Sequence, residues 1–273
     1  MPNPTISSLH SSHVERVKAL LGSRGKKYRR EEKAFIADGI QSVREALSPK
    51  IDSAPRVERL YVTEAGLAKL ELEISPAVLA TTDIYPVTDE IMKAMADTES
   101  PQGILAWCSY LDMTLYKLGQ INAKKIAYFW ELQDPGNSGT AIRTADACGF
   151  DAVVFSDKSV DVFSPKTVRA TVGSLWHIPV VESIPLAEMM EFAGAGGFTS
   201  IAFAGDAEGS FLDIAPTERE VLIFGNEARG LPDIEGLTAR AHIPMAGHSE
   251  SLNVASAAAI AMFHFGISSV RSK

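Results

Sequence analysis

The chain has 273 residues, 46% hydrophobic and 22% charged, enough for two compact units with buried cores, and no run is long and apolar enough to cross a bilayer. A membrane protein is therefore set aside. The net charge of −8 argues against a generic polyanion binder, because the long-range field repels phosphates.

Residues 1–15 lack the apolar core of a secretory signal. Residues 1–30 read as a basic N-terminal extension. Lys18, Arg24, Lys26, Lys27, Arg29 and Arg30 cluster there, and Tyr28 is placed to stack on a base. The same run also reads as an ordinary solvated face. Residues 31–112 alternate β-branched runs ("AFIA", "RLYVT", "ILAWCS") with helical patterns ("GIQSVREAL", "EAGLAKLEL", "TDEIMKAMA"), which predicts a small α/β domain. Cys108 and Cys148 follow no pairing or metal-ligand spacing, so a reducing, cytoplasmic setting is expected.

A polar, aperiodic linker over 113–124 leads into a second α/β domain over 125–273. Its strands are "KIAYFW", "AVVFS", "IPVVES", "TSIAFA", "EVLIFG" and "RAHIPM". Each is a near-continuous apolar run, the signature of a mainly parallel sheet covered on both faces. Helices are predicted over Asn137–Cys148, from Ser164-Pro165 onward, and over Leu186–Phe192. The last helix, "NVASAAAIAMFHF", is apolar nearly all round and stops at Gly266, so the rest of the domain or a second copy of the chain must cover it.

Several chemistries fail on inspection. "AGAGG" at 193–197 follows a helix, whereas a phosphate-cradling loop must follow a strand. "DPGNSGTA" lacks both a P-loop lysine and the third glycine of a dinucleotide fingerprint, which leaves an oxidoreductase a distant alternative. The histidines show no metal-ligand pairing with carboxylates or thiols apart from His10 and His13, and no metal is expected. In "GHSESLN" a serine, Ser251, occupies the place of the second glycine of a nucleophile elbow.

Three loops of the second domain share one design, an apolar strand followed by Gly, Asn, Ser or Glu: "LQDPGNSGTAIRTADACGF", "VLIFGNEARGLP" and "IPMAGHSESLNVASAAAIA". Ligands of open parallel sheets collect outside the carboxyl ends of the strands, so these loops can converge. In this order they closely resemble motifs 1, 2 and 3 of the SpoU/TrmH family of SPOUT-class RNA ribose 2'-O-methyltransferases, which use S-adenosylmethionine (AdoMet). Motif 1 falls on Asn137, Gly139 and Arg143. Motif 2 falls on Gly225, Asn226, Glu227 and Gly230, and motif 3 on Ile243, Pro244, Met245, Ser251, Leu252, Asn253 and Val254.

That resemblance implies a C-terminal SPOUT domain with a trefoil knot, a preceding domain similar to ribosomal protein L30e, a homodimer, and RNA as substrate, ribosomal before transfer RNA. A catalytically idle RNA-binding protein of the same fold is the rival reading. AdoMet is assigned to Gly225, Asn226, Gly230, Ile243, Met245 and Leu252. Catalysis is assigned to Arg143, Asn137, Glu227, Ser251 and Asn253. On chemistry alone Asn137, Ser251 and Asn253 also read as helix caps. Arg143 suits a phosphate oxygen and a developing alkoxide, with Glu227 expected to pair with it. RNA is expected to cross Lys26, Lys27, Arg29 and Arg30, then a track of Lys166 and Arg169, one helical step apart.

Overall fold

The computed structural model describes residues 3–22, 24–110 and 112–267. Two compact units divide the chain: Met1–Leu111 with Asp161–His177, and Asp112–Val160 with Ile178–Lys273. The sequence reading kept 161–177 with the C-terminal domain. The contacts place that segment in the first unit, where Phe163 and Trp176 lie 4.9 and 6.0 Å from the Phe35 ring.

The first half of the chain runs α1 (Ser12–Leu21), α2 (Gly25–Glu32), β1 (Ala34–Asp38), α3 (Ile40–Leu47), β2 (Arg56–Val62) and α4 (Glu64–Glu71). It continues through α5 (Pro76–Thr81), β3 (Ile84–Pro86), α6 (Asp89–Met95) and β4 (Ile104–Ser109). The four strands form one sheet in the order β1-β4-β2-β3, with β4 antiparallel to both its neighbours and β2 parallel to β3. The stretch read as a basic extension is built into this unit. Ser11 caps α1 by accepting from the His13 N–H, and Val14, Val17 and Leu20 bury one face of it against Ile36 and Trp107. The start of α3, beyond Gly39 at φ +90°, is held by its Ile40 N–H donating to Gln102 Oε1 at 3.0 Å.

The remaining elements are α7 (Leu115–Gln120), β5 (Lys125–Phe129), α8 (Pro135–Ala147), β6 (Ala152–Phe155) and α9 (Pro165–Thr171), of which α9 packs in the first unit. After it come β7 (Val180–Val181), α10 (Leu186–Ala195), β8 (Thr199–Phe203), β9 (Gly209–Ser210), β10 (Glu220–Phe224), β11 (Ala239–His242) and α11 (Val254–Ile267). The seven strands β5 to β11 form a sheet in the order β7-β6-β5-β10-β8-β11-β9, and every pair is parallel. Strands β3 and β9, of three and two residues, escape the sequence reading; β7 is as short as β9 but lies within the longer apolar run "IPVVES".

One face of the larger sheet packs Tyr128, Val154, Val221 and Ile223 against Met189 and Ala193 of α10 and Leu118 of α7. On the other, α8 and α11 pack together and reach the sheet. A buried ion pair ties α11 to the start of the sheet: Lys125 Nζ lies 2.8 Å from Glu220 Oε2 and donates to the Phe265 carbonyl at 2.7 Å. Among the described residues no helix is long and apolar enough to cross a membrane.

Candidate active site

Four neighbouring strands of the larger sheet end in phenylalanine at matching register. Phe155, Phe129, Phe224 and Phe203 close β6, β5, β10 and β8, with successive ring centroids 5.6, 5.1 and 5.0 Å apart. This stacked row makes a firm apolar floor, and loops rich in small and polar residues rise from it.

The loop after β5 turns into α8 earlier than the sequence spacing predicts. Asp134 is the N-cap, its Oδ1 accepting from the Asn137 N–H at 2.8 Å, and Pro135 takes the first helical position. Asn137 is therefore not the cap. Its side chain instead donates from Nδ2 to Glu227 Oε1 at 2.8 Å and accepts at Oδ1 from Asn253 Nδ2 at 3.1 Å. Asn253 is a cap as well, its Oδ1 accepting from the N–H groups of Ala255 and Ser256 at the start of α11. A single relay, Asn253 to Asn137 to Glu227, thus links loops 116 and 90 residues apart in sequence.

In the loop after β10, Asn226 is buried and braces the turn from inside. Its Nδ2 donates to the Glu131 carbonyl at 2.8 Å, and its Oδ1 accepts from the N–H groups of Ala228 and Arg229 at 2.9 and 3.2 Å. Gly225 is required by this fold-back. A Cβ there would sit 2.7 Å from the Gly230 backbone, so the close approach that excludes a side chain is made by the loop itself.

Between these loops lies a cavity of about 200 Å³. All six residues expected to hold the cofactor line it: Gly225, Asn226, Gly230, Ile243, Met245 and Leu252. Glu227 and Ser251 line it too. The sequence reading missed the contribution of Phe203, Ala204 and Gly205 at the end of β8, although "TSIAFAG" carries the same strand-then-small-residue signal. It also missed Glu250. The lining holds two carboxylates, Glu227 and Glu250, and no lysine, arginine or histidine, a field that favours a cationic ligand.

Arg143 lies outside that lining, exposed on α8, and makes no hydrogen bond or ion pair with the described residues. The expected Arg143–Glu227 pair is absent among the described residues; Glu227 Oε1 accepts from Asn137 instead. The basic residues divide. Arg29 is 5% exposed, and its Nε and Nη2 reach Asp161 Oδ2 at 2.9 and 2.6 Å, so it is withdrawn from any RNA surface. Arg169 donates to Asp97 at 3.0 Å, and Lys27 faces Glu31 across one turn of α2 at 3.6 Å. Lys26 and Arg30 also lie on α2, and Lys166 on α9. Burial pushes the thiols of the buried Cys108 and the half-buried Cys148 up. Among the described residues no three His, Cys, Asp or Glu side chains gather as a metal ion would require.

Residues 124–263 match the SpoU rRNA methylase family, and residues 14–106 match the MRM3-like substrate binding domain. The chain is 34% identical to the 23S rRNA (guanosine(2553)-2'-O)-methyltransferase RlmP of Bacillus subtilis (strain 168), over 95% of this chain and 99% of that protein. With the 23S rRNA (uridine(2479)-2'-O)-methyltransferase of Streptomyces viridochromogenes it shares 29% identity, covering 93% and 88%. Among solved structures, the AdoMet-bound rRNA methyltransferase from Sinorhizobium meliloti aligns with a TM-score of 0.80 at 27% identity, covering 96% of this chain and 97% of that one.

Proposed function

The chain belongs to the SpoU rRNA methylase family, and we propose that it transfers the methyl group of AdoMet to a ribose 2'-hydroxyl of 23S ribosomal RNA. The observation that carries this reading is the amide relay, which closes three motif loops around one cavity. The residues present fit the cofactor. Phe203 and Phe224 offer an apolar wall to a purine, the Gly225–Gly230 turn offers backbone polar groups, and Glu227 and Glu250 complement a sulfonium.

When bound, AdoMet supplies an activated methyl group, so the chain's own task is to orient the hydroxyl and manage its proton. Arg143, whose guanidinium has no partner among the described residues, meets the phosphate beside the target ribose and offsets charge developing on the 2'-oxygen. Asn137 and Asn253 hold the loops in register. Glu227, fixed by Asn137 and lining the cavity, accepts the hydroxyl proton, and Ser251 contacts the ribose or the adjoining phosphate. RNA reaches this site along Lys26, Lys27, Arg30 and Lys166, with Arg29 removed from the path.

The working unit is a homodimer in the cytoplasm. Ile260 and Phe263 of α11 are 42% and 59% exposed one turn apart, an apolar face suited to a second copy. A monomer mass by sedimentation at micromolar concentration removes that part of the reading. The trefoil knot and the L30e-like character of the first unit belong to the same proposal.

The test incubates the protein with unmethylated 23S rRNA and labelled AdoMet, then maps alkali-resistant ribose positions. Arg143→Ala should lower the transfer rate by about 10²-fold or more, while calorimetry gives AdoMet affinity within about twofold of wild type. Label on a base, or none on RNA, ends the proposal.

A further inference from the structure

Glu131 stands directly after β5, in front of the first motif loop, and is 3% exposed with a left-handed backbone at φ +50°. Its N–H donates to Ser156 Oγ at 2.7 Å, and its carbonyl accepts from Asn226 Nδ2 at 2.8 Å. The buried carboxylate faces two cations. Oε1 lies 3.2 Å from Lys158 Nζ, and Oε2 accepts from Arg229 Nη2. Those cations are not themselves buried, since their side chains are 70% and 62% exposed. The Arg229 guanidinium also lies over the Trp130 ring, 5.7 Å from its centroid.

One carboxylate anchoring two outward-facing cations leaves a net positive charge fixed in place, in a chain whose overall charge is −8. Burying an anion to steady two exposed cations adds little to fold stability. It does pre-organise them for an anion arriving from solvent, with less side-chain entropy to lose. Position gives the anion its identity. Lys158 follows β6 and Arg229 follows β10, the strands on either side of β5, so the pair flanks the loop that carries Asn137. Arg229 also lies between Glu227 and Gly230, which line the cavity.

We propose that Lys158, Arg229 and Trp130 form a docking step for a single-stranded RNA nucleotide next to the methylated one. Its phosphate sits between the two cations and its base lies against the Trp130–Arg229 pair. A single strand offers both chemistries at once, a charged backbone and an open π-face. The inference rests on the RNA methyltransferase reading and adds a substrate subsite to it.

The test measures filter binding of unmethylated 23S rRNA to the full-length protein across a salt series, with AdoMet affinity followed in parallel by calorimetry. Lys158→Gln and Arg229→Gln should each weaken rRNA binding about tenfold and flatten the log–log salt slope by roughly 0.7. Trp130→Leu should weaken binding about fivefold with the slope intact. AdoMet affinity should stay within about twofold throughout, which also reports that each variant is folded. Should Arg229→Gln fail to fold, Glu131→Gln/Arg229→Gln removes the buried charge together with its partner and should show the same slope change. Unchanged rRNA affinity and slope in the glutamine variants overturn the proposal. So does an AdoMet affinity that falls in step with RNA affinity, because the side chains then only brace the loop after β10. Wild-type protein that binds rRNA with these dependences yet transfers no methyl group defeats the methyltransferase reading and leaves the docking step standing.

Discussion

The motif loops of the second unit and the basic helices of the first are both polar, yet their side chains meet different fates. Asn137, Asn253 and Glu227 find one another across long sequence separations. The cations of α2 and α9 are taken up by single carboxylates, local or distant in sequence: Lys27 takes Glu31 one turn away, while Arg29 takes Asp161 and Arg169 takes Asp97. An amide in a strand-end loop has short reach and needs both a donor and an acceptor, so few arrangements satisfy it. A long cation accepts any oxygen within several ångströms and settles on whichever the fold supplies. Spacing is therefore a sound guide to the site for the first kind of residue and a poor one for the second.

Three substitutions probe that contrast. Arg29→Ala leaves Asp161 buried without its partner and should cost about 3–5 kcal/mol of stability in denaturant unfolding. A loss below about 1 kcal/mol would mean that Arg29 belongs with the surface cations after all. Asn137→Ala breaks both bonds of the relay. Its stability loss should be only about 1–2 kcal/mol, while methyl transfer falls at least tenfold and AdoMet binds more weakly. If transfer survives intact, the relay is a brace without influence on the site. Lys27→Ala removes an exposed pair and should change stability by less than about 0.5 kcal/mol, with the melting temperature as readout.

Much of the second unit is legible in the sequence because its strands are apolar from end to end and stop at small residues. The six expected runs are six of its seven strands, and the cavity is lined by every residue assigned to the cofactor. What was not legible has physical reasons. "DPGN" offers two capping residues, and the sequence reading chose Asn137. Proline at the first helical position favours Asp134, which frees the asparagine for the relay. Helix α2, "GKKYRREE", has almost no apolar stripe, so nothing in its pattern says that Arg29 faces inward. The attachment of 161–177 to the first unit depends on Phe163 and Trp176 meeting Phe35, a contact between segments more than a hundred residues apart that no local periodicity encodes.

The relay carries one last implication. Asn137 donates on one side and receives on the other, so both halves of its amide are engaged. Aspartate has the same outline but would set one carboxylate against another at Glu227 and lose the donor that holds it. The position therefore distinguishes two side chains of nearly identical shape by charge and donor alone, and hydrolysis of that one amide in an ageing molecule would unfasten the loops without enlarging or shrinking anything.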